Sequence, residues 1–220
     1  MSRPARLLKL GRYEYRQSLA LQERIHALVA DGKEIDTWIV VEHEPVITLG
    51  KNTAREHLLL GEAALAARGL EVVQVGRGGD ATYHGPGQLV VYPIVRLARF
   101  REVAPLVGAL EDATIAALAQ FGLAAARQPD HRGVYVGTRA VAALGLAVRR
   151  MTSLHGLALN VSCALDYDRL IVPCGLARYG ITSLAHELGR EVALGEARDA
   201  LLGAIAERFD LRFEREALAC

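Results

Sequence analysis

Apolar and polar positions alternate along this chain in short blocks. Residues 16–31, RQSLALQERIHALVAD, bring Leu19, Ile25, Leu28 and Val29 toward one side of a helix, and Gly32 is placed to end it. TWIVVEHEPVITLG follows. Its two β-branched runs are split by Pro45, which predicts two short strands or one interrupted strand. GEAALAARG predicts a short helix closed by glycine, and EVVQV and QLVVYPIV predict strands flanking a glycine-rich loop. Residues 105–121 open on Pro105 and stop before Gly122, good punctuation for a helix. GVYV, AVAALGLAV and GLALNV are further strand candidates. The last helix is predicted over 194–209, where Ala197, Leu201, Ile205 and Phe209 are spaced by four. No internal repeat, low-complexity tract or linker interrupts the pattern. The expected architecture is one mixed α/β (α+β) domain over residues 1–220, with several hairpins rather than a regular βαβ array.

Composition narrows the function classes. The chain has 220 residues, 51% hydrophobic and 23% charged, which is ordinary for a soluble globular protein. A formal net charge of +1 gives no basic field for nucleic acid. No apolar run is long enough to span a bilayer, and the N-terminal stretch carries no continuous apolar signal segment, so the expected location is the cytoplasm. Cys163, Cys174 and Cys220 are too few and too irregular for a disulfide framework or a zinc site, so no metal is expected. Lysine occurs only at Lys9, Lys33 and Lys51; every other cation is arginine.

Three stretches carry candidate chemistry. The first is RGGDATYHGPGQ, residues 77–88. Its glycines allow close backbone approach, and successive N–H groups can cradle an anionic or carbonyl oxygen. It lacks the Gly-Lys-Ser/Thr of a phosphate loop and is followed by a strand, so a binding loop and a tight hairpin turn both stay open. The second is IVPCGL, where Cys174 sits between Pro173 and Gly175. An exposed thiolate there would be a nucleophile, whereas a buried thiol would be structural. Cys163, in NVSCAL, and Cys220 look structural or incidental. The third is LHGLALN, where His155 stands before Gly156 as His84 stands before Gly85. His26 and His57 are expected on helix surfaces and His131 and His186 in loops, while His43 has no clear assignment.

Together these stretches resemble the lipoyl(octanoyl) transferases. The family pattern Arg-Gly-Gly-x-x-Thr-x-His-Gly-Pro-Gly-Gln is met from Arg77 to Gln88. His-Gly-x-Ala-Leu-Asn is met from His155 to Asn160, Pro-Cys-Gly from Pro173 to Gly175, and Glu-His-x-Pro-Val-x-Thr-Leu-Gly from Glu42 to Gly50. The resemblance implies the fold of the lipoate and biotin protein ligase catalytic domain: a mixed, largely antiparallel sheet with packed helices. It implies transfer of an octanoyl group from acyl carrier protein to Cys174, held there as a thioester. The acceptor would be a lysine of a lipoyl domain, as in the E2 subunits of 2-oxo acid dehydrogenases or the glycine cleavage H protein. No ATP, other cofactor or metal is implied. The acyl site would be lined by Arg77, Gly78, Gly79, Asp80, Ala81, Thr82, Tyr83 and His84. Ala143, Leu144 and Gly145, with Gly156, Leu157 and Ala158, would complete it, and His155 and Asn160 would support it.

One position departs from the family. A lysine expected in the segment that here reads AVAALG is replaced by Ala140. In the family that lysine activates the cysteine and relays protons; a methyl group does neither. An unperturbed thiol has a pKa near ~8.5, so only a few per cent is thiolate at neutral pH. Arg139 is the nearest cation, but neighbouring strand residues face opposite ways, and arginine does not give up its proton. Three accounts are open: an alanine substituted for the lysine as a probe, a natural homologue using another base such as His84, or an acyl- or carrier-protein-binding homologue with little activity. An ATP-dependent lipoate or biotin ligase is the competing enzyme class; it would need the lysine and not the cysteine. Arg96, Arg99 and Arg101, and the pair Arg149–Arg150, are candidate contacts for an acidic carrier protein.

Overall fold

The structure, a computed structural model, describes residues 2–54, 57–171 and 179–215, apart from the side chains of 168, 169 and 215. Its strands are β1 (Arg3–Tyr13), β2 (Thr37–His43), β3 (Val46–Leu49), β4 (Glu71–Gln74), β5 (Ala81–His84), β6 (Gln88–Ile94), β7 (Ala126–Gln128), β8 (His131–Val136), β9 (Arg139–Arg149), β10 (Thr152–Asn160), β11 (Gly180–Ile181) and β12 (Leu211–Arg215). The helices are α1 (Tyr15–Ala30), α2 (Glu62–Ala66), α3 (Val103–Ala119), α4 (Leu184–Leu188) and α5 (Leu194–Phe209).

A large mixed sheet runs in the order β12-β1-β2-β6-β10-β9-β8-β7, with β11 beside β9, and β4-β3-β5 form a small second sheet. In the large sheet the β12–β1, β1–β2 and β11–β9 pairs are parallel and the others antiparallel. Period-two alternation divides its residues between two faces. Trp38, Val40, Leu89, Val91 and Leu159 pack with Leu106, Leu110 and Ala117 of α3 and Leu201 and Ile205 of α5. Ile39, Val41, Val90 and Tyr92 face the other way, onto Ile25 and Val29 of α1.

The helices α1, α2, α3 and α5 and the strands β2, β6, β9 and β10 follow the sequence expectation; β1 and α4 were not expected, and two further features differ from it. The loop after β4 is not a hairpin turn. Strands β4 and β6 belong to different sheets, and residues 81–84 form a strand of their own that pairs with β3. Pro45 likewise marks a transfer between sheets, since β2 lies in the large sheet and β3 in the small one. The second difference is the buried face of α1. It comprises Tyr15, Ser18, Gln22, Ile25, His26 and Val29, while Leu28 is 37% exposed. Polar side chains therefore point inward where apolar ones were expected. His26 is buried with Nε2 3.0 Å from Arg149 O, His186 lies in α4, and His57 is in a short turn beside Asp80.

Two glycines report on the packing. Gly203 is exposed on α5 with free space where a Cβ would stand, whereas a Cβ at Gly156 would lie 2.0 Å from Val91 O on the neighbouring strand. Gly203→Ala is expected to stabilise the fold by about 0.5–1 kcal/mol through helix propensity. Gly156→Ala is expected to destabilise it by about 1–3 kcal/mol through overpacking. Urea unfolding of the two variants checks both signs.

Candidate active site

The glycine-rich loop joins the two sheets. Gly78 N donates to Leu146 O of β9 at 2.9 Å, and a Cβ at Gly145 would come within 2.9 Å of Gly78 O. Only a residue without a side chain lets the loop lie this close to the strand. Arg77 is buried and fixes the loop from below. Its Nη2 donates to Thr48 O and Thr48 Oγ1, each at 2.8 Å, and Nη1 donates to Gly78 O at 3.1 Å. The segment 42–50 is a scaffold for this loop. Glu42 Oε1 accepts from Gly87 N at 2.7 Å, Thr48 holds Arg77, and Gly50 leaves room for Gly79 O.

Two cavities open beneath the loop. The first, about 460 Å³ including its mouth, is lined by Arg77, Gly79, Asp80, Thr82, His84, Ala143, Leu144, Gly145, His155, Gly156, Leu157 and Ala158, together with Tyr15, Val90 and Tyr92. The second, about 540 Å³, is lined by Ala81, Thr82, Tyr83, Gln88, Ala140, Ala142, Ala143, Ala158 and Asn160, together with Tyr135, Tyr167, Ile171, Tyr179, Gly180 and Ile181. Thr82, Ala143 and Ala158 border both, so the cavities meet at three small side chains. Every described residue expected at the site, apart from Gly78, lines one or both; Gly78 approaches through its backbone. Sequence reasoning did not single out Tyr15, Tyr92, Tyr135, Tyr167 or Tyr179, which come from separate elements. Only Tyr92 and Tyr135 carried a signal, their places in the apolar runs QLVVYPIV and GVYV.

A chain of buried hydrogen bonds runs beside the cavities. His84 Nδ1 lies 2.7 Å from Gln88 Oε1. Gln88 Nε2 donates to Tyr83 O at 3.2 Å and to Asn160 Oδ1 at 2.9 Å. Asn160 Nδ2 donates to Thr182 O at 3.0 Å and to Tyr167 Oη at 3.1 Å. The two backbone carbonyls only accept, which fixes both amide orientations and leaves Gln88 Oε1 as an acceptor. His84 Nδ1 therefore carries the proton and Nε2 the lone pair. Burial first, then neighbouring His43, pushes the His84 pKa down to about 3, against the pull of the Gln88 bond. Burial, with Arg77 and Arg149, takes His155 to about 4. His43, also lowered chiefly by burial, donates from Nδ1 to Tyr13 O at 2.9 Å and accepts from Tyr92 Oη at 2.8 Å. Tyr15 stacks over His84 with centroids 6.0 Å apart. These are neutral, oriented rings, and a histidine so hard to protonate is a weak base.

Ala140 faces the second cavity, whose described lining contains no lysine, arginine, histidine, aspartate or glutamate. Arg139 faces away, as the strand alternation requires, and forms a two-pronged ion pair with Glu187, both contacts at 2.8 Å. Pro173, Cys174 and Gly175 lie outside the described residues, as does Cys220. Their described neighbours Ile171 and Tyr179 both line the second cavity. Cys163 is buried, and burial raises its pKa to about 12, as suits a structural thiol. Of the loop amides, Gly78 N and Ala81 N are already taken, by Leu146 O and Asp80 Oδ1. Arg96 and Arg149 lie at the far ends of β6 and β9 from Gln88 and Ala140, and Arg149 and Arg150 face Glu23 and Asp31.

Comparison with known proteins agrees with this geometry. The family described as the lipoyl protein ligase A/B catalytic domain matches residues 14–206. An octanoyltransferase of Solibacter usitatus is 43% identical over 210 residues, covering 95% of this chain and 91% of that protein. An octanoyltransferase of Myxococcus xanthus is 40% identical over 209 residues, covering 92% of this chain but 58% of that longer protein. Among solved structures, lipoate-protein ligase A bound with ATP superposes with a TM-score of 0.81 at 20% identity, over 98% of this chain and 90% of that one. Biotin protein ligase from Aquifex aeolicus superposes at 0.54 and 14% identity, over 95% and 70%. These two likenesses establish the expected fold.

The histidine environments set a pH dependence of stability. Both rings protonate near ~6.5 when unfolded but resist protonation to about 3 and about 4 when folded. Their contribution is complete above the unfolded value and is lost as pH falls toward the folded values. The urea midpoint should therefore fall as pH drops below 6.5, while the NMR signals of His84 and His155 stay in the neutral form down to pH 5. Titration of either ring near its unfolded value would contradict this environment.

Proposed function

The chain belongs to the lipoyl protein ligase A/B catalytic-domain family and, within it, to the octanoyltransferases, and we propose that it passes an octanoyl group from acyl carrier protein to Cys174 and from there to a lysine of a lipoyl domain. The observation that carries this reading is the pair of joined cavities. The first is long, walled by Leu144, Leu157, Val90 and small residues, and suits the acyl chain. The second is bordered by the residues on either side of the segment holding Cys174, and suits the thioester and the two arriving substrates.

In the first half-reaction the Cys174 thiolate adds to the thioester carbonyl, and collapse of the tetrahedral adduct expels the carrier-protein thiolate. In the second, the lysine amine of an E2 or glycine cleavage H lipoyl domain adds to the new thioester. Collapse expels the Cys174 thiolate, and the proton that the amine loses is passed to that sulfur, which restores the thiol. His84 orients the wall between the cavities and is too weakly basic to take that proton. Arg139 is committed to Glu187 and faces away. The described wall of the second cavity offers no ionisable group other than tyrosine, so among the described residues no lysine, histidine or carboxylate relays that proton. A lysine at that position would sit in an uncharged, partly enclosed space, where desolvation lowers its pKa and readies the neutral amine.

Intact-mass analysis after incubation with octanoyl-loaded acyl carrier protein tests the reading. Ala140→Lys is expected to gain one hydroxylamine-labile octanoyl group, to lose that gain when combined with Cys174→Ser, and to transfer to a lipoyl domain on the order of a hundredfold faster than the Ala140 chain. An Ala140→Lys protein that is never acylated on Cys174, or that acts only with ATP and free octanoate, would overturn it.

A further inference from the structure

The first cavity has a direction. Along β10 its lining passes from Asn160, in the second cavity, through the shared Ala158 to His155, in the first alone. Along β9 it passes from Ala140 through the shared Ala143 to Gly145, and along β6 from Gln88 to Tyr92. The distance from Ala158 to His155 is three strand residues, roughly 10 Å, about the reach of an extended eight-carbon chain. On the sheet side the wall up to that point is small or aliphatic, from Ala143, Leu144, Gly145, Gly156, Leu157 and Val90; Arg77, Asp80 and His84 line the cavity as well, and His155 stands at its end.

The end is built from α1 and β10. His155 is 2% exposed and takes a left-handed backbone, φ 59°, within an otherwise extended strand. Its N–H is held by Gln22 Oε1 at 3.2 Å. Behind it stand Ser18 and Gln22, both with no exposed surface. Ser18 Oγ and His155 Nε2 have no hydrogen-bond partner among the described residues, while the Gln22 side chain reaches Tyr92. Buried polar atoms without a partner are rare and costly to bring against hydrocarbon. Ser18 and Gln22 both belong to the face of α1 that is turned inward, while Leu28 is left outside.

We propose that His155, backed by Ser18 and Gln22, is the residue that sets acyl-chain length: it ends the apolar slot with a fixed ring and a polar floor that a longer chain would have to press against. This deepens the transferase reading and rests on it for the identity of the chain, but the gauge itself can be read by binding alone. The left-handed backbone already suits glycine, so His155→Gly removes the ring and keeps the N–H to Gln22. His155→Asn keeps a polar atom, tolerates the same backbone and shortens the side chain.

Calorimetric binding of octanoate, decanoate and dodecanoate to the unchanged chain and to both variants gives the test. The unchanged chain is expected to prefer octanoate. In His155→Gly the decanoate-to-octanoate affinity ratio should rise at least tenfold, the scale expected for burying two more methylenes, with His155→Asn between the two. A ratio that stays the same in both variants, each shown to be folded by circular dichroism, would overturn the proposal. Acids that bind in this pattern to an Ala140→Lys chain whose Cys174 is never acylated would uphold the gauge and refute the transfer reaction.

Discussion

The contact on which the site depends is the one between a loop and a strand that leave no room for a side chain between them. Gly78 hydrogen-bonds across to Leu146 O, and Gly145 faces Gly78 O at a distance no Cβ tolerates. This contact, clamped by buried Arg77, holds the small sheet over the large one. The two cavities lie in the space left beside this junction. Residues far apart in sequence, from Tyr15 to Ile181, become neighbours because this one junction is closed.

Beneath that junction the polar groups are oriented rather than ionised. Two amides, Gln88 and Asn160, are locked by backbone carbonyls at both ends of their chain, and they in turn fix the tautomer of His84. Burial keeps the imidazoles of His43, His84 and His155 neutral. The result is an oriented wall with little proton affinity. With alanine at position 140, the described lining of the second cavity carries no lysine, arginine, histidine, aspartate or glutamate.

Much of this was legible in the sequence, for identifiable reasons. Helices with apolar residues spaced by four and strands bounded by glycine and proline declare themselves locally. The four motifs gave the loop, the lining strands and the position of Ala140, because close approach demands glycine in fixed places. What stayed hidden depended on tertiary context. Strand β1 mixes Pro4, Arg6 and Lys9 with inward Ala5 and Leu7, and it is a strand because β2 and β12 flank it. Strand β5 sits inside a stretch whose glycines read as a turn, and only pairing with β3 makes it extended. The inward polar face of α1 runs against the apolar pattern, because Gln22 is turned in to accept the His155 N–H, a partner more than a hundred residues away in sequence.

The central claim is that the acyl chain lies in the first cavity while its thioester sits in the second. A crystal structure of the Ala140→Lys chain carrying an octanoyl group on Cys174 tests it most directly. The account predicts methylene density passing between Thr82, Ala143 and Ala158 and ending against His155. A chain folded into the second cavity, or lying along the surface with the first cavity filled by water, would contradict it.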